Sequence, residues 1–127
     1  MSGLITDTEE HRAIRETVAG IAERYGSQYF LERGRKGEDI GELWKDLGAA
    51  GLLGVHLPEE YGGGGGGMAE AVVVVEELAA HGMPMLIWVI SPAICGSILA
   101  HHGSDEMKRR WLPGIADGSQ KMAFGLT

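Results

Sequence analysis

Cysteine is nearly missing from this sequence: Cys95 stands alone among 127 residues, so no disulfide can form within the chain. The fold must rest on packing, and a chain of this length can bury about two-thirds of its unfolded surface without staples. Basic residues are scarce as well, 11 Lys and Arg against 18 Asp and Glu, a net charge of −7. Binding to nucleic acid through counterion release needs clustered cations, so the balance speaks against a nucleic-acid partner. Cations gather once, at Lys108, Arg109 and Arg110, where Asp105 and Glu106 stand four residues before the two arginines. That spacing predicts i,i+4 ion pairs on a solvated helix face. From Met1 to Glu10 there is no apolar stretch and no arginine. The segment therefore resembles neither a secretory nor a mitochondrial leader, and the chain is expected to start where it is written and to reside in the cytoplasm.

Long uninterrupted hydrophobic runs are lacking too. Gly82 to Ser104 carries no Lys, Arg, Asp or Glu, but Ser91, Pro92, Gly96 and Ser97 interrupt it. Ser91 before Pro92 reads as an N-cap and first-turn pair that starts a new helix, and the resulting pieces are too short for a bilayer. A membrane span is not expected.

What the chain does have is helical periodicity. Thr6 and Glu9 hold capping-box spacing ahead of Ile14, Val18, Ile21, Ala22 and Tyr25, which predicts a helix over 8–24. Residues 27–38 are charged and contain Gly34 and Gly37, enough for a turn or two. Leu43, Trp44, Leu47 and Ala50 share a face of a helix over 40–50. Four valines in a row, Val72 to Val75, favour strand by propensity. The length, the alanines and the Glu76-Glu77-Leu78-Ala79-Ala80 ending favour a helix over 68–81, with Met68, Val72, Val75 and Ala79 on one stripe. Further helices are expected over 92–102 and, capped by Ser104, over 105–112. Met122 to Thr127 reads as a strand with no evident partner.

Candidate chemistry is thin. Gly62, Gly64 and Gly67 satisfy GxGxxG, as any six-glycine run would, and no acidic residue follows at the distance a dinucleotide fold needs. A mobile linker is the expected role. The five histidines show no HExxH and no Cys/His ligand spacing, so no metal site is expected. Cys95 has no neighbouring base in sequence. Glu59-Glu60 and Glu76-Glu77 are adjacent pairs that point apart on a helix and read as solvated faces or helix contacts. No catalytic residue emerges from the residues alone.

Gly51-Leu-Leu-Gly-Val-His-Leu-Pro-Glu-Glu-Tyr-Gly-Gly63 resembles the helix-to-loop signature of the N-terminal domain of acyl-CoA dehydrogenases. Glu76-Glu77-Leu78-Ala79, Gly103-Ser-Asp-Glu-Met-Lys108, Trp111-Leu-Pro-Gly-Ile-Ala-Asp-Gly118 and Ala123-Phe-Gly-Leu-Thr127 follow in that family's order. The resemblance implies an all-α domain over 1–118, with the first strand of a following β-domain over 119–127. It implies FAD-dependent α,β-dehydrogenation of an acyl-CoA thioester, with an electron-transfer acceptor and a homo-oligomeric enzyme. Ile87, Trp88, Ser91, Pro92, Ile94 and Cys95 would line the acyl pocket. Phe124, Leu126 and Thr127 would touch the flavin. The family's base belongs to a later domain, so this chain alone is expected to hold no catalytic residue, to bind FAD poorly and to be inactive. Trp88, Ile94 and Phe124 are then expected to lie on an uncovered apolar patch. The same architecture serves acyl-CoA oxidases and some flavin monooxygenases, and a stand-alone helical interaction module is the reading from a different class.

Overall fold

The structure, a computed structural model, describes residues 6–127. Residues 1–5, on which part of the leader argument rests, lie outside the described residues. The ordered elements are α1 (Glu9–Tyr25), α2 (Ser27–Lys36), α3 (Gly41–Ala49), a 3-10 turn (Glu59–Tyr61), α4 (Met68–Ala80), α5 (Leu86–Trp88), a π-helical segment (Val89–Gly96), α6 (Ser97–His102) and α7 (Asp105–Asp117). The all-α expectation holds. No strand forms among the described residues, and the strand expected over Met122–Thr127 is absent because no second strand is there to receive its hydrogen bonds.

The cap of α1 lies two residues later than Thr6. Thr8 Oγ1 accepts from the His11 N–H at 3.1 Å, and the Thr8 N–H donates to His11 Nδ1 at 3.4 Å. Because Nδ1 accepts, Nε2 carries the proton, and it donates to Glu70 Oε1 at 3.3 Å. The other oxygen of Glu70 accepts from the Gly67 N–H at 2.7 Å. One histidine and one glutamate thus close the first turns of both α1 and α4. Further along, Arg15 reaches Glu76 at 3.0 Å and Glu77 at 3.2 Å. The two helices therefore lie side by side in the same direction. The Glu76-Glu77 pair is a helix contact, and Asp7, also on Arg15 at 2.6 Å, is held below the usual carboxylate range by that guanidinium.

Three elements depart from expectation. Helix α2 runs ten residues, because Gly34 costs only about 1 kcal/mol of propensity and Tyr29 and Phe30 pack on the core. Helix α7 keeps Pro113 inside it, continues to Asp117 and stops at Gly118, whose φ of 84° suits a left-handed C-cap. The predicted stripe of α4 is the wrong one: Ala71, Val73, Val74 and Leu78 are buried, while Val72 is 52% exposed. A helix apolar nearly all round offers periodicity no face to choose.

Two apolar clusters form the interior. The larger joins α1, α3, α4 and Trp88, and the smaller joins Leu57, Leu99, Leu112, Ile115 and Ala116. The loop after α3 feeds both, with Leu52, Leu53 and Val55 in the first and Leu57 in the second.

Candidate functional site

The stretch from Leu86 to His102 is one continuous helical run rather than two helices meeting at Ser91-Pro92. Its junctions keep helical dihedrals, −63°/−41° at Trp88 and −58°/−45° at Gly96. Pro92 sits inside the run without breaking it because the eight residues Val89–Gly96 wind as a π-helix. An α-turn would set the proline ring against the carbonyl four residues earlier and would lack a donor for it, and the wider turn relieves both demands. Ser91 is accordingly no N-cap. It is fully buried, and its Oγ accepts the Met122 N–H at 2.9 Å.

That bond ties one residue predicted for the pocket to Met122, two residues before Phe124. Of the residues predicted for the acyl pocket, Trp88, Ser91, Pro92 and Cys95 are buried and Ile87 and Ile94 half-buried. Trp88 is 0% exposed, so it does not belong to an uncovered patch. Phe124 is 52% and Leu126 91% exposed, and Thr127 is exposed as well. Beside the run lies a cavity of about 290 Å³ lined by Met68, Val72, Val75, Trp88, Val89 and Ala93 among others. Trp88 is the predicted pocket residue that borders it. Burial pushes the Cys95 thiol up, away from the thiolate a nucleophile needs.

His56 escaped the sequence reading. Its Nε2 donates to the Pro92 carbonyl at 2.7 Å, and its ring lies 5.6 Å from that of Trp88. A carbonyl can only accept, so Nε2 holds the proton and the ring is neutral or cationic with Nδ1 inward. Burial pushes its pKa below the ordinary histidine value and keeps it neutral. Among the described residues His56 Nδ1 and Trp88 Nε1 are buried without hydrogen-bond partners. The available signal was His56 lying inside the Gly51–Gly63 motif, but a lone histidine beside a proline has no spacing that names its partner.

The glycine run is no mobile linker. Gly62 and Gly63 donate to the carbonyls of Glu59 and Pro58, and Gly64, Gly65 and Gly66 donate to those of Gly54, Leu57 and Val55, all at 2.8–3.0 Å. Gly67 donates to Glu70 at 2.7 Å. All six N–H groups are committed within the chain, so none remains to cradle a phosphate. Backbone approach explains the composition, since a Cβ on Gly63 would lie 2.1 Å from the Leu57 oxygen. The cationic stretch of α7 also differs from expectation. No ion pair joins Asp105 or Glu106 to Arg109 or Arg110 among the described residues, and Arg110 instead lies 4.8 Å over the Trp111 ring.

FAD is the cofactor the resemblance implies. The exposed Phe124 and Leu126 offer apolar surface, and the backbone of residues 120–127 is not engaged in a sheet. These groups fit contact with a flavin edge, while three exposed side chains on one segment do not enclose one.

Residues 8–119 match the sequence profile described as acyl-CoA dehydrogenase, N-terminal domain. Acyl-CoA dehydrogenase FadE12 of Mycobacterium tuberculosis is 54% identical over 121 residues, 95% of this chain and 31% of that protein. The solved electron transferring flavoprotein structure of Acidaminococcus fermentans contains a chain with TM-score 0.83 and 27% identity, covering 94% of this chain and 32% of that one. Acyl-CoA dehydrogenase of Bacillus anthracis complexed with FAD gives TM-score 0.69 and 26% identity, over 91% of this chain and 20% of that one. This chain thus spans about a third of the length of such curated relatives. Among the described residues no helix is long and apolar enough to cross a membrane.

Proposed function

Because the chain belongs to the acyl-CoA dehydrogenase family, as that family's N-terminal helical domain, we propose that it serves FAD-dependent α,β-dehydrogenation of an acyl-CoA thioester. Residues 1–118 act as the helical domain and 119–127 as the lead into a β-domain. The observation that carries this reading is the Ser91–Met122 hydrogen bond at 2.9 Å. It ties Ser91, on the proposed pocket wall, to Met122, two residues before the proposed flavin contacts, which supports the approach of acyl chain and flavin that such a reaction requires.

In this reading Ile87, Trp88, Ser91, Pro92, Ile94 and Cys95 form one wall of the acyl site. Their apolar surface excludes water and orients the thioester so that its α and β carbons reach the reacting groups. Phe124 and Leu126 would offer the flavin apolar contact, and the Thr127 hydroxyl would be a hydrogen-bond donor to it. Hydride acceptance is the chemistry that FAD supplies when bound. No residue of this chain takes the α-proton, because in the family that base belongs to a later domain. An electron-transfer acceptor and self-association are proposed with the same reading; the acceptor has in its support that a solved structure described as that of an electron transferring flavoprotein contains a chain of similar fold. A cytoplasmic site is proposed with the same reading.

The test uses the reading frame taken to the length of its relatives. The purified protein is expected to be yellow and to bleach anaerobically with at least one acyl-CoA of a panel running from short to long and branched chains. A folded, colourless full-length protein overturns the proposal, as does a yellow one that no thioester bleaches.

A further inference from the structure

His56 lies outside the residues predicted for the site, yet it connects to both of their segments. Its own backbone is fixed, because the carbonyls of Gly54, Val55 and Leu57 around it receive the N–H groups of Gly64, Gly66 and Gly65. From that fixed base its Nε2 reaches the Pro92 carbonyl at 2.7 Å. One residue before Pro92, the Ser91 hydroxyl takes the Met122 N–H at 2.9 Å.

We infer that His56 is a positioning residue: by holding the Pro92 carbonyl it keeps the Val89–Gly96 turn in its wide register and so sets Ser91 where it anchors the segment Met122–Thr127. Pro92 offers no N–H, so the turn has no internal bond at that position to fix its winding. An outside donor on the carbonyl of the same residue supplies the missing restraint. The proline ring bars the turn from closing to α, so without that restraint the Val89–Gly96 segment loses its fixed position, and Ser91 is no longer held opposite Met122. The six-glycine run gains a role in this arrangement, since its close backbone contact holds the histidine in reach. The consequence for flavin contact rests on the proposed function, whereas the anchoring itself does not.

Amide hydrogen exchange at Met122, measured on the 127-residue chain without flavin or thioester, tests the inference. Ser91→Ala and His56→Leu are each expected to speed Met122 exchange by about tenfold or more while amides of α1 and α3 keep their protection. His56→Gln, which presents a side-chain N–H at similar reach, is expected to retain protection within about threefold of the parent. Leucine fills the space as well as glutamine does, so rescue by glutamine alone separates the donor from mere packing. The double variant is expected to exchange no faster than either single one. Should His56→Leu fail to fold, His56→Met carries the test, because it also fills the space without offering a donor. Unchanged Met122 protection in folded His56→Leu or His56→Met overturns the inference, as does equal loss in the leucine and glutamine variants. A colourless full-length protein would sink the functional reading and leave this result standing. Unmoved Met122 exchange would do the reverse.

Discussion

Tyr25 donates its hydroxyl to Asp46 Oδ2 at 2.6 Å, tying α1 to α3. That bond and burial push its phenol up to about 12. A group whose folded value is raised contributes stability that is complete below its unfolded value, about 10 for tyrosine, and that is lost as pH rises through the folded value. An absorbance titration is expected to show a late-ionising tyrosine that vanishes in Tyr25→Phe and moves toward the ordinary value in Asp46→Asn. A late transition unchanged in both variants would contradict the assignment. Residue by residue, the glycine run offers a sharper contrast. On Gly63 an added methyl meets the Leu57 oxygen at 2.1 Å, whereas on Gly67 its nearest neighbour is 3.7 Å away, an ordinary contact. Gly63→Ala is expected to cost about 2–3 kcal/mol in urea denaturation, and Gly67→Ala is expected to stay within about 0.5 kcal/mol of the parent. A flexible linker would respond alike at both positions, with slight stabilisation. Composition showed the sequence reader only the entropic cost of glycine. The carbonyls that demand it are brought near by folding.

At the scale of elements, α4 decides between face assignments. Leu78 is 0% exposed and Val72 52% exposed. Leu78→Ala is expected to destabilise by about 2–5 kcal/mol, and Val72→Ala by no more than about 0.5 kcal/mol, both read from denaturation midpoints. Reversed magnitudes would restore the stripe of Met68, Val72, Val75 and Ala79. Helices α1, α3, α4 and α7 were legible because caps and apolar spacing are local signals: Ser104 does cap α7, accepting from the Met107 N–H at 3.2 Å. What was not legible depends on distant partners. The Thr8–His11 cap is completed by Glu70, 59 residues from His11. The winding at Pro92 involves His56, 36 residues away. Ser91-Pro92 has the local form of a helix start, and only its burial against Met122 reveals a serine used as an acceptor inside a helix. Of the candidate site, sequence resemblance suggested the two segments, and the structure adds the Met122–Ser91 hydrogen bond, a contact between residues 31 apart that no local pattern announces.

The whole molecule is two apolar clusters held together by the loop that the glycines lace. Val55 enters one cluster and Leu57 the other, so fixing residues 54–57 fixes the clusters relative to each other. The apolar surface left outside includes Phe124, Leu126, Val72 and Leu86, the last 70% exposed. For the chain alone we expect self-association in sedimentation at rising concentration, binding of a hydrophobic dye, and no flavin retained through gel filtration. A strictly monomeric chain that ignores the dye, or one that carries stoichiometric flavin, would contradict this. The central claim is that the six glycines form a fixed clamp under the candidate site. Amide exchange across Gly62–Gly67 tests it most directly: slow exchange at all six N–H groups is the predicted result, and exchange at the rate of an unstructured glycine peptide would contradict it.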